Sequence, residues 1–247
     1  MCAPCLSRRG FLRGAALSAP LATAGCDLPI LVSDAEAAEM GRAAWAEIRS
    51  RTPLSTNVGY AEVVGRAAGR LLRAGGHDPR DWELAVFAGP TVNAFALPGR
   101  KIGLYEGMIR LAADEAQLSA VIGHEIGHLD AEHSKERMSA QMAGSAALRL
   151  VSWLLDLGEI EFADEIGAAL GVGLEFGVLR PYGRGQEEEA DLLGLRLMVG
   201  AGYDPAAAPA LWRRMAARAG RGPEFLSTHP APESRVRALE EAIAASA

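Results

Sequence analysis

Cysteine is almost absent from this chain. There are three among 247 residues, and all of them, Cys2, Cys5 and Cys26, fall within the first 26. The rest of the chain therefore has no disulfide framework, and its stability has to come from burial. Long apolar runs are missing too. The two most apolar stretches, 146–157 and 166–179, are interrupted by Arg149, Asp156 and Glu175. Both fall short of the roughly 20 residues that span a bilayer. Basic residues are outnumbered: with three arginines and no acid in the first 26 positions, the remainder keeps 22 basic residues against 31 acidic. That balance argues against a nucleic-acid partner and against polybasic attachment to anionic lipid. Internal repeats and low-complexity linkers are lacking as well. The 221 residues after position 26 suffice for one domain, 27–247, with a substantial core.

Histidine is rare, at 5 of 247 positions, so its placing is informative. Residues four apart share a helix face, so His124 and His128 in His124-Glu125-Ile126-Gly127-His128 can aim two imidazoles at one ion. Glu125, beside the first of them, can act on a water at that ion without being a ligand. A motif of three fixed residues arises by accident in on the order of one such chain per hundred, so corroboration matters. Leu118, Val121, Ile122, Ile126 and Leu129 recur at helical steps, and Asp114 with Gln117 forms a capping-box-like start. A catalytic zinc usually takes three protein ligands. The candidate third is Glu187, 59 residues beyond His128 in Gln186-Glu187-Glu188-Glu189-Ala190-Asp191. On a helix Glu187 and Asp191 share a face, so Asp191 can accept the second N–H of a ligating histidine, while Ala190 permits close helix crossing. The competing reading is a solvated acidic run.

His124-Glu125-x-x-His128 followed by Glu187-x-x-Ala190-Asp191 resembles the gluzincin-type zinc metallopeptidases that include the CAAX prenyl protease, HtpX, BepA and LoiP. The resemblance spans roughly residues 55–240. It includes Asn93-Ala94-Phe95-Ala96-Leu97-Pro98, the turn at 201–205, and Thr228-His229-Pro230 running on to Arg235, which is similar to the periplasmic branch. It implies an α+β, predominantly helical, zincin-like domain with a small three-stranded sheet beside the histidine helix. It implies Zn2+ held by His124, His128 and Glu187, with Glu125 as the catalytic base. The implied reaction is hydrolysis of unfolded or misassembled envelope proteins. The alternative is a chaperone-like binding lipoprotein in which zinc is structural. Three readings are open for His229: occupying the fourth zinc position at rest, stabilising the oxyanion, or a His-Pro loop position with no role. Arg184 is a further oxyanion or carboxylate-pairing candidate. His133, about 140° round a continuous helix from His128, and His77, in a Gly-Gly-His-Asp-Pro turn, read as structural.

Residues 1–26 read as an export leader. Ser7-Arg8-Arg9-Gly10-Phe11-Leu12-Arg13 resembles the twin-arginine signal, and a mildly apolar stretch follows. Thr23-Ala24-Gly25-Cys26 resembles a lipobox, although Thr23 departs from its usual leucine. The expected location is the bacterial periplasm, with a candidate lipid anchor at Cys26 and no transmembrane span in the mature chain.

Periodicity predicts helices over 34–50, 57–74, 115–140, 186–199, 205–219 and 231–245. Strands are expected over 82–88, 93–97 and 101–104. Residues 141–180 read as a buried helical hairpin or, in the sharper alternative, a mobile cover or partner surface over the cleft.

Overall fold

The structure is a computed structural model that describes residues 30–140, 142–143, 183–218, 223–229 and 233–246. The leader, Cys26 and almost all of the 141–180 segment lie outside the described residues.

Helix α1, Asp34–Arg51, starts at a capping box in which Ser33 and Glu36 satisfy each other's backbone N–H groups. Helix α2, Val58–Ala74, is capped by Asn57 and stops at Gly75–Gly76, where Gly76 takes φ +77. Three short strands follow: β1 Glu83–Phe87, β2 Ala94–Leu97 and β3 Lys101–Tyr105. Strand β3 is central, parallel to β1 and antiparallel to β2, so β2 is an edge. After the short helix α3, Glu106–Leu111, comes α4, Glu115–Asp130, whose N-cap Asp114 accepts from the Gln117 N–H at 2.8 Å. Beyond residue 183 come helices α5 Arg184–Gly200, α6 Ala207–Ala216, α7 Phe225–Thr228 and α8 Glu233–Ser246.

Helix α4 runs through the centre, and its residues 117–128 are all buried. Val121, Ile122 and Ile126 join Leu71, Leu72, Ile102, Leu104, Met108 and Trp212 in one core. Each such side chain stabilises the fold by about 1.5–3 kcal/mol through burial. Helix α5 crosses α4 at backbone contact. A Cβ built on Gly194 would lie 2.8 Å from the His124 nitrogen, and one on Gly127 would lie 2.7 Å from the Ala190 oxygen. Glycine at both crossing points is what lets a carboxylate on α5 reach imidazoles on α4.

The helix expected over 115–140 is broken. Ala131 and Glu132 form a turn, with Glu132 at φ +59, and helix resumes over 133–140 in a new direction. Positive φ at glutamate is uncommon and leaves no sequence signature of the kind glycine provides. Among the described residues no helix is long and apolar enough to cross a membrane.

Candidate metal centre

His124 and His128 present their Nε2 atoms 3.0 Å apart from one face of α4. The Glu187 carboxylate on α5 lies 3.6 Å from His124 Nε2 and 3.3 Å from His128 Nε2. His229, just after α7, brings Nδ1 to 3.0 Å from Glu187 and 3.3 Å from His124. These four side chains are buried and offer ligand atoms that all lie within 4.8 Å of one another. Three imidazole nitrogens and one carboxylate oxygen form a donor set suited to a borderline divalent cation such as zinc. Glu125 adds a further sign of fit: its Oε1 is buried with no hydrogen-bond partner, 3.6 Å from His229 Nε2. A buried polar atom of this kind costs about 1–3 kcal/mol unless a ligand or substrate satisfies it.

The ring orientations are set from outside the cluster. His124 Nδ1 lies 3.0 Å from Asp191 Oδ1, which fixes the proton on Nδ1 and leaves Nε2 as a donor atom. His128 Nδ1 lies 2.9 Å from His133 Nδ1, and His133 Nε2 is 3.4 Å from Glu189. His229 stacks on Phe225, ring centres 4.4 Å apart, and Phe225 stacks on Trp212. The Arg235 guanidinium on α8 donates to Asp191 at 2.7 and 2.8 Å, also reaches Glu187, and lies over the Trp212 ring at 5.0 Å.

Burial dominates the electrostatics. It holds His124 well below the usual imidazole range, assisted by the neighbouring His128, and lowers His128 to about 4. Both rings are thus neutral and able to bind a metal. Burial raises Glu125 to about 7, against the opposing pull of His229 and the Ala96 backbone N–H. Burial also pushes Glu187 upward, but hydrogen bonds to His128 and His229 outweigh it and set Glu187 at about 2. Asp191 is raised by burial despite Arg235.

His124, His128, Glu187 and His229 are therefore brought together, with Glu125 and Asp191 adjacent. Arg184 is not. It is exposed at the start of α5, and the carboxylate-pairing position foreseen for it is taken by Arg235. Sequence reasoning missed Arg235 because a charged residue in an amphipathic helix reads as solvated, and only tertiary packing buries it. His133 stays outside the ligand set, as expected, but not for the reason given. The separation of about 140° assumed a continuous helix, and the turn at Glu132 swings His133 back onto His128. His77, by contrast, pairs with Asp130 at 3.0 Å away from the cluster.

Residues 61–243 match the model of Peptidase family M48. Mitochondrial metalloendopeptidase OMA1 of Schizosaccharomyces pombe is 39% identical over 181 residues, covering 72% of this chain and 51% of that protein. The Arabidopsis thaliana protein of the same name is 35% identical over 162 residues, covering 65% of this chain and 31% of its own length. The beta-barrel assembly-enhancing protease of Escherichia coli is 27% identical over 199 residues, or 77% of this chain and 40% of that protein. The chain thus spans about half, or less, of the length of these relatives. The matched span contains the histidine helix, Glu187, Asp191, His229 and Arg235 in one buried arrangement, and this chain belongs to Peptidase family M48.

Proposed function

We propose that this chain is a zinc-dependent metalloendopeptidase. The observation that carries the proposal is the buried convergence of His124, His128, Glu187 and His229 beside an unpartnered Glu125 oxygen. His124, His128 and Glu187 are the zinc ligands, and Glu125 is the base. Zinc, when bound, supplies Lewis acidity toward a carbonyl oxygen and toward water. Glu125 takes a proton from the attacking water as its oxygen bonds to the scissile carbonyl carbon. Glu125 then delivers that proton to the amine as the C–N bond breaks. Asp191 keeps His124 in the ligating tautomer, and Arg235 holds both Glu187 and Asp191 in place. The edge of β2, unpaired among the described residues, supports pairing with an extended peptide, whose carbonyl is then held beside Glu125 by main-chain hydrogen bonds.

His229 has a resting role in this reading. Its Nδ1 stands among the ligand atoms, so it would help hold a bound zinc in the resting enzyme. His229→Ala then raises basal hydrolysis; a loss of turnover instead assigns it to the oxyanion, and unchanged kinetics removes both roles.

The substrates are unfolded or misassembled envelope proteins, and the enzyme works in protein quality control. The relatives' names point to mitochondria in one case and to β-barrel assembly in the other. The twin-arginine-like leader and the lipobox-like Cys26 favour bacterial export, a periplasmic site of action and a lipid anchor. The test pairs elemental analysis with cleavage of an unfolded outer-membrane protein. The parent chain should hold one zinc and cut the substrate. Glu125→Gln should keep the zinc and cut at least about a thousandfold more slowly, as loss of a central catalytic group does. A variant that cuts at the parental rate removes Glu125 as the base. An intact substrate with the parent would favour the zinc-structured binding protein.

A further inference from the structure

Beside Glu125 and His229 lies a cavity of about 660 Å3 between α1 and the edge strand β2. Its size falls within the range of about 300–1,000 Å3 typical of sites that bury a ligand. Ile48 lines it from α1, Phe95 and Leu97 from β2, Tyr105 from the end of β3, and Met138 from the helical stretch past the Glu132 turn. All five side chains are half-exposed, so each keeps apolar surface in water that an incoming apolar group would cover. Charged groups line it as well, the buried Glu125 among them. Glu47 and Arg51 pair with each other one turn apart at 2.5 Å, and Arg137 lies nearby.

The α1 wall is firmly seated. A Cβ on Gly41 would lie 1.9 Å from the Pro98 oxygen, so only glycine lets the helix reach the β2–β3 turn. Trp45 is buried, donates to Glu83 at 3.0 Å, and meets Phe87 and Phe95 edge-on at 5.9 and 6.2 Å. Residues 34–51 also precede the family match, which begins at 61. This wall therefore lies outside the span that the family model matches.

We infer that the cavity is a subsite for one bulky apolar side chain of an extended polypeptide lying along β2, and that α1 sets this preference. The inference rests on the peptidase reading above and gives its substrate a chemistry. Large apolar side chains in extended backbone are exposed mainly when a protein is unfolded. A subsite of this kind thus selects unfolded chains over folded ones without reading a specific sequence.

The test uses the zinc-loaded full chain and its Glu125→Gln counterpart, with dye-labelled peptides that differ at one position as Leu, Phe, Gly or Asp. The parent should show kcat/KM about tenfold or more higher for Leu and Phe than for Gly and Asp, the scale on which apolar pockets discriminate. Glu125→Gln should bind the same peptides in the same order. Ile48→Asp, and independently Met138→Asp on the stretch past the Glu132 turn, should flatten the ratio while zinc content and circular dichroism match the parent. Equal kcat/KM across the set, or an unchanged ratio in both wall variants, overturns the subsite. If the parent cuts no peptide, the peptidase reading fails. Binding to Glu125→Gln then decides the subsite alone: preference for Leu and Phe sustains it, and equal binding overturns it.

Discussion

The metal cluster and the cleft beside it meet at Glu125, yet they are built in opposite ways. The side chains of His124, His128, Glu187 and His229 are between 1% and 4% exposed, whereas Ile48, Phe95, Leu97 and Met138 are all half-exposed. Three of the four donors are held by a polar group from outside, Asp191 on His124, His133 on His128 and Arg235 on Glu187, while His229 stacks on Phe225. The cleft side chains are held mostly by packing, such as Phe95 against Phe87 at 5.9 Å. Metal ligation demands fixed atoms, and fixing them in a dry interior needs charge compensation from outside. Reception of varied side chains demands only shape and apolar surface.

Substitutions can break or sharpen this contrast. Arg235→Met should have the largest effect on the fold, since it strands Glu187 and Asp191 in the interior. The expected loss is about 3–5 kcal/mol, to be read as a lower urea midpoint in metal-free protein. A loss no larger than that of a surface change would show that the guanidinium does not brace the cluster.

Next comes the pH dependence of the metal-free chain. Glu125 titrates near 7 in the fold against 4.5 for an ordinary carboxyl. A group raised on folding contributes stability below its unfolded value and loses it as pH rises through the folded one. At roughly 1.4 kcal/mol per pH unit, the loss is about 3 kcal/mol. Chelator-treated Glu125→Gln should therefore outlast the parent at pH 8.5 and converge with it at pH 4. His128, lowered to about 4 from 6.5, acts in the other direction. Its stabilisation is complete above 6.5 and fades as pH falls toward 4, in parent and variant alike. Equal midpoints at pH 8.5 would mean that Glu125 is solvated rather than buried.

Asp191→Asn keeps the volume but weakens the bond to His124 Nδ1, and should reduce zinc affinity about 10- to 100-fold in a chelator competition. The smallest effect belongs to the cleft. Met138→Ala should change stability by about 0.5 kcal/mol, as a partly solvated site does. A cost several times larger would show that the cleft wall is part of the core.

Local patterns were legible where one element decides the outcome. Helices α1 and α2 fall within a residue or so of their predicted spans, because capping residues and glycine stops act within a turn. The histidine pair and the Glu187–Asp191 pair were legible for the same reason: each shares a face of one helix. The reach between the two pairs was suggested by Ala190, but it also depends on Gly127 and Gly194, which bring two backbones into contact. Glu132 gave no warning of the turn that ends α4, since glutamate has no special liking for positive φ.

The sequence alone determined which groups were available: two imidazoles and a carboxylate on α4, two carboxylates on α5, and a histidine and an arginine further on. Periodicity and capping are local, so these could be read residue by residue. Tertiary structure decided which of them share an interior. It buried Arg235 instead of Arg184, returned His133 to His128, and set α1 against Pro98 as a cleft wall. Those outcomes depend on contacts between residues tens of positions apart, where burial and charge compensation are settled jointly by several elements and by none of them separately.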